Sequence, residues 1–299
     1  MAMRLLRAML SLFSAALVAA CSEHAQPPSP PGDAAGAPRI VALSPAVAVT
    51  LRDLGLEDRI VGRHGWDLVL DRSLPVCGDQ SGINYESLLA ARPTHVILEW
   101  GTRDLPARLG ELADANGWKV RTVRLLSLGD IRAFAADAAA EFAPNNPRAA
   151  AVVASLDGIA DGVDRSGAGR VLLLLSATPP AALGPGSYHQ EILALLGGVP
   201  ALEQGQPYVT LNAEDVLRLA PDGIVLIAPR SPGSAASDSP SWDEIAPRLG
   251  RLAALPVPAV ERRRVAVIDD PLALIPSTAA VGFAERLRGV LDAWNEPRP

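Results

Sequence analysis

Short apolar runs alternate along this chain with stretches whose apolar positions recur every three or four residues, a pattern of strands separated by helices. Arg39-Ile-Val-Ala-Leu43 is a buried strand. Ser44-Pro45 then opens a helix, with Ser as N-cap and Pro at the first helical position, and the helix runs to Leu54 and stops at Gly55. Arg59–Gly62, His95–Glu99 and Lys119–Val123 read as further strands, and Asp130 as the cap of a helix over 131–142. Pro147 opens an alanine-rich stretch with Val152, Val153, Leu156 and Ile159 on one side, which predicts a single helix over 147–166 joining two halves. The pattern restarts with the strand Arg170–Leu175, a helix from Ser187 to Leu196 ended by Gly197-Gly198, strands at 223–228 and 264–269, and helices at 242–252 and 278–294. Strands separated by helical segments imply parallel sheets.

One segment occurs twice. Ile83–Leu98 aligns without a gap on Leu211–Leu226, matching Asn84 to Asn212, Glu86 to Glu214, Leu89 to Leu217 and Pro93 to Pro221. Each copy reads as an Asn-capped helix with a carboxylate in its first turn, a Pro stop and a buried strand. The offset of 128 residues is domain-sized, far beyond a solenoid repeat. The expectation is therefore two similar α/β lobes, 39–146 and 167–299, each presenting an acidic helix start to the outside.

The N-terminus changes this picture. Arg4 and Arg7 precede an apolar run over 9–20 that is too short to span a bilayer, so 1–20 reads as an export signal. It ends Leu17-Val-Ala-Ala-Cys21, similar to a bacterial lipoprotein cleavage box, which would leave Cys21 lipidated at a new N-terminus. Residues 21–38, rich in Pro, Ala, Gly and Ser, read as a flexible tether between that anchor and the folded body. Cys77 is the one cysteine beyond it and reads as a small core residue. The net charge of −6 comes without a basic cluster, which disfavours nucleic acid as a partner.

In parallel sheets ligands lie beyond the carboxyl ends of strands. That rule selects Ser44 and Pro45, then Arg63, His64 and Trp66, then Trp100 in the first half. In the second half it selects Gly186 and Tyr188 in the Gly-rich turn before a helix, Arg230 and Asp270. Trp66 and Trp100 offer flat aromatic walls for a large, partly apolar ligand, or else pack in a lobe core. Tyr188 either faces the ligand or caps its turn. His64 reads as a polar lining residue, with ligation of a metal or of a corrinoid or haem centre as alternatives. His95 and His189 read as structural or weaker candidates, and the scattered histidines do not make a bare metal site.

The order of Arg39-Ile-Val-Ala-Leu-Ser-Pro45, Leu54-Gly-Leu-Glu-Asp-Arg-Ile-Val-Gly62, Pro75-Val-Cys-Gly78 and Glu86–Pro93 resembles the solute-binding proteins of ABC importers for cobalamin, iron-siderophores and haem. Gly184–Tyr188, Leu196-Gly-Gly198, Glu214–Asp222 and Arg263–Asp269 extend the resemblance over most of 39–294. It implies two α/β lobes bridged by one long helix, ligand in the cleft between them, and modest closure. It also implies that Glu86 and Glu214 dock onto arginines of a two-fold permease, although each glutamate equally complements its helix dipole. The function implied is a monomeric, exported, lipid-anchored capture protein without catalysis or a cofactor of its own. It would deliver a cobalamin-like corrinoid, or next an iron-siderophore, to a permease with its ATPase subunits. Two rivals remain: a sensor or scaffold on the same fold, and a serine hydrolase using Ser187 and His189. The second lacks a Gly-x-Ser-x-Gly elbow, and no HExxH, P-loop or dinucleotide fingerprint appears.

Overall fold

In a computed structural model, residues 36–100, 104–234 and 240–296 are described. The signal 1–20, Cys21 and the tether up to residue 35 lie outside them.

The first half lays down β1 (Ile40–Leu43), α1 (Pro45–Asp53), β2 (Ile60–His64), β3 (Val76–Asp79), β4 (Gly82–Ile83), α2 (Tyr85–Ala91), β5 (His95–Glu99), α3 (Ala107–Asn116) and β6 (Lys119–Val123). Their sheet has the order β4-β3-β2-β1-β5-β6, parallel except for the β3–β4 pair. β1 is buried along its whole length, as a central strand covered on both faces must be. One face packs against α1 through Ala46, Val47 and Leu51; the other packs Val41, Val96 and Leu98 against Leu88 of α2 and Leu109 of α3.

Two helices follow, α4 (Leu128–Phe142) and α5 (Pro147–Asp157). The second half is built from β7 (Arg170–Ala177), β8 (Pro180–Leu183), α6 (Tyr188–Leu195), β9 (Val199–Pro200), β10 (Tyr208–Thr210), α7 (Ala213–Leu219), β11 (Gly223–Ile227), α8 (Trp242–Leu249), α9 (Pro258–Glu261), β12 (Val265–Ile268) and α10 (Ala280–Asn295). Its sheet runs β10-β8-β7-β11-β12, with β9 pairing β7. β7, β11 and β12 are parallel, whereas β8 reverses antiparallel on β7 and β10 on β8. The fold is thus two-lobed α/β with mixed, largely parallel sheets flanked by helices.

The connection between lobes differs from a lone helix over 147–166. α5 ends at Asp157, where Gly158 caps it, and it lies antiparallel to α4 across the turn at 143–146. Both helices serve both cores. Leu128, Ile131 and Ala135 of α4 pack in the second lobe, while Phe134 and Ala138 pack in the first. On α5, Ala149 and Val152 belong to the first lobe and Leu156 to the second. The capping also differs: Ser127 is the N-cap of α4, and Asp130 closes a capping box onto it. A second tie follows β12, where Ala273 packs in the second lobe, Ile275 against the first, and Thr278 Oγ1 donates to Asp53 at 2.5 Å.

The duplicated segment is a duplicated structure. Asn84 and Asn212 each accept from the backbone amide three residues on, at 3.0 and 2.9 Å. α2 and α7 both end in a non-glycine residue in the left-handed region, Arg92 (φ 44°) and Ala220 (φ 42°). Glu86 and Glu214 are exposed in the first turns, and Leu89 and Leu217, one turn later, are 39% and 38% exposed.

Candidate functional site

At the carboxyl ends of β1, β2, β3 and β5 lies a cavity of about 410 Å³. Ser44, Pro45, His64 and Trp100, expected there from strand position alone, line it. Ser44 is the N-cap of α1: its Oγ accepts from Ala46 N at 3.1 Å and donates to Glu99 Oε2 at 3.0 Å. One hydroxyl thus links the positive start of a helix to a carboxylate on the neighbouring strand. Burial raises the Glu99 carboxyl above its usual range, and the Ser44 hydrogen bond opposes that shift.

His64 is buried, and its Nδ1 accepts the Trp66 amide at 3.1 Å. In neutral imidazole this leaves the proton on Nε2, so the ring presents an N–H rather than a lone pair. Burial lowers its pKa, opposed by the charges of Asp79 and Asp67, so the neutral form is favoured. Ligation by His64 would require the Trp66 bond to break. The indole of Trp100 donates to Asp104 O at 3.0 Å, which orients the ring at the edge of the cavity.

Strand position alone missed four polar lining residues. Glu99 ends β5, one residue before the Trp100 that was selected. Asp79, Gln80 and Ser81 form the tight β3–β4 turn, and Asp79 accepts from Ser81 N at 2.7 Å and from the Ser81 hydroxyl. The side-chain and backbone bonds from Ser81 hold the Asp79 carboxyl below its usual range. The signal was weak because Val-Cys-Gly-Asp carries little strand propensity and the partner strand has two residues.

Other expected positions fall elsewhere. Arg63 is buried and turned to the loop after β2: it donates to Leu74 O and Arg72 O at 3.2 Å each and to His64 O at 3.3 Å. A buried guanidinium needs carbonyls, and this loop supplies them. Trp66 is 64% exposed and does not line the cavity. Tyr188 is 5% exposed in the second core and donates to Ala273 O at 3.0 Å, so it neither caps the turn nor meets a guest there. Gly186, at φ 85°, stands exposed in its turn, after a β7–β8 hairpin that the sequence did not announce. Arg230 donates to Asp269 O at 3.1 Å and to Ser234 O at 2.9 Å. Asp270 accepts from Leu272 N at 2.8 Å and pairs with Arg286 at 3.3 Å. None of these lines the cavity.

Ser187 Oγ donates to Gly184 O at 2.8 Å, while His189 Nε2 meets Ala273 O at 2.8 Å. A hydrolytic pairing of the two has no contact to rest on. Cys77 is fully buried, with its thiol pushed up to about 11 by desolvation, as a packing residue would be.

A two-lobed α/β molecule whose cavity opens at strand ends, with its lobes tied by helices, defines a binding protein of the helically bridged class. The chain belongs to the periplasmic binding protein family, whose sequence profile matches residues 40–272. Among solved structures it resembles the periplasmic heme-binding protein HutB of Vibrio cholerae, at 21% identity and TM-score 0.66 over 85% of this chain and 98% of that one. It also resembles the periplasmic vitamin B12 binding protein BtuF of Vibrio cholerae, at 20% identity and TM-score 0.64 over 87% and 99%. The apo periplasmic heme-binding protein RhuT from Roseiflexus sp. RS-1 is similar at 19% identity and TM-score 0.63 over 87% and 100%. No curated protein sequence matches the chain.

Proposed function

We propose that this protein is the capture subunit of an ABC importer, exported and held at a bacterial membrane by lipid on Cys21. It takes a cobalamin-like corrinoid, or an iron-siderophore as the next choice, at the cavity beyond β1, β2 and β5. It then hands the guest to a permease driven by ATPase subunits. The observation that carries the reading is the matched pair of exposed glutamates, Glu86 on α2 and Glu214 on α7, in a repeat that agrees down to its left-handed helix ends. A helix dipole explains one such carboxylate; the same carboxylate on both lobes, each followed by an exposed leucine, suits a two-fold partner surface. Among the described residues lining the cavity none is Lys or Arg, which favours the corrinoid over an anionic ferric siderophore.

Tryptophan quenching with cyanocobalamin, hemin and ferric siderophores tests the guest, because Trp100 borders the cavity. Saturable quenching by a corrinoid is expected, and absence of binding to every member of the set refutes it. In the same cells, reversing Glu86 and Glu214 to Lys abolishes uptake while affinity stays unchanged, and Cys21→Ser moves the protein to the soluble fraction. A sensor without a permease would show no uptake defect in the reversed variant.

A further inference from the structure

The cavity wall has a polarity that the proposed function does not use. His64 is nine-tenths buried, and its Nδ1 is taken by the Trp66 amide. His64 lines the cavity, and among the described residues its Nε2–H has no hydrogen-bond partner. A donor on a cavity wall gives up water when a guest enters, and a guest that offers no acceptor there loses that hydrogen bond. That makes it a recognition point. On the other side of β1, Ser44 holds Glu99 by one oxygen, and Asp79 adds a second carboxylate on the β3–β4 turn.

β1 lies between β2 and β5, so the donor of His64 and the acceptor of Glu99 arise from strands roughly 10 Å apart, two strand spacings. A guest that satisfies both is broad and offers acceptors on one side and N–H donors on the other. Neutral carboxamides supply both from one functional group. Carboxylates supply acceptors only: they can satisfy His64, but they set like charge against Glu99 and Asp79, with no Lys or Arg among the described lining residues to offset it.

Resting on the capture function proposed above, we infer that His64 and Glu99 determine specificity by selecting a broad guest rimmed with carboxamides over one rimmed with carboxylates. His64 serves as a donor and not as a metal ligand. Glu99 supplies the discrimination, and Ser44 is the positioning residue that fixes its carboxylate.

Two probes of similar breadth and opposite rim test this: dicyanocobinamide, which carries carboxamides, and hemin, which carries two carboxylates. The full-length protein should bind dicyanocobinamide at least about tenfold more tightly than hemin, the scale of one charge-assisted hydrogen bond. Glu99→Gln, which keeps shape, should weaken dicyanocobinamide roughly tenfold and leave hemin unchanged or tighter. Asp79→Asn should move the ratio in the same direction by less. His64→Phe should weaken both guests together, because both offer acceptors. An unshifted thermal transition in each variant shows that the fold is kept, and the ratio of the two affinities is a readout that loss of structure does not mimic. Tighter binding of hemin by the unmodified protein, or an unchanged ratio in Glu99→Gln, overturns the assignment while leaving the capture function standing. Failure of the unmodified protein to bind either probe overturns the assignment, and failure to bind ferric siderophores as well overturns the capture function.

Discussion

Single side chains decide how the second lobe responds to acid. His189 is buried between Tyr188 and the edge of Phe283, and its Nε2 is committed to Ala273 O. Burial lowers its pKa from 6.5 to about 4, opposed by that hydrogen bond. The folded form therefore binds its proton less readily than the unfolded chain. The stability from keeping this ring neutral is complete above about pH 6.5 and is lost as pH falls towards 4. Across that window the loss is about 3 kcal/mol. Urea denaturation at pH 7 and pH 4.5 should show it, and His189→Gln should flatten the dependence while lowering stability at pH 7. A variant with the unmodified pH slope would place the titration elsewhere.

Residue-level reading located four of the thirteen described residues that line the cavity. Ser44, Pro45, His64 and Trp100 were reachable because the chemistry of a parallel strand end depends on position alone. Arg63 and Tyr188 obeyed the same rule yet turned inwards, because a loop carbonyl cluster and the Ala273 carbonyl compete for them. Nothing local in the sequence reveals that competition.

The repeated helices are the element where sequence and structure agree most closely. α2 and α7 are seven-residue helices with an Asn cap before them, a glutamate in the first turn and a Pro two residues past the end, all local features that a linear pattern carries. Both end in a left-handed residue other than glycine, which is sterically unfavourable. Arg92→Gly and Ala220→Gly should each stabilise the protein by about 0.5–1 kcal/mol, after allowing for the extra freedom of glycine in the unfolded chain. Denaturant midpoints measure this, and a fall in both midpoints would show that the side chains contribute more than the strain. Elements that depend on distant partners were not visible in advance. β3, β4, β8, β9 and β10 are two to four residues long, and pairing rather than composition makes them strands. The continuous helix read over 147–166 likewise fails at Gly158, since alanine-rich composition does not state where a helix turns away from its cores.

On the scale of the whole molecule, the two lobes are joined more firmly than one helix would join them. α4 and α5 each enter both cores, Leu128 N donates to Glu191 of α6 at 2.8 Å, and Arg148 holds the end of α1 through Arg52 O at 2.7 Å and Asp53 O at 2.9 Å. The segment after β12 adds the Thr278–Asp53 link. With both helices packed at either end, any relative motion of the lobes would have to repack α4 and α5 against both cores.

Cys77 lies on β3 beside β2, and a single added carbon on Gly62 would come within 2.6 Å of its sulfur. Such a tightly covered sulfhydryl works as a built-in clock. An alkylating reagent can react with it only while the first sheet has come apart, so the rate of modification counts those excursions one lobe at a time. A saturating guest seated above β1 and β2 should slow the clock in proportion to its occupancy, whereas a guest held solely by the other lobe would leave it ticking at the same pace.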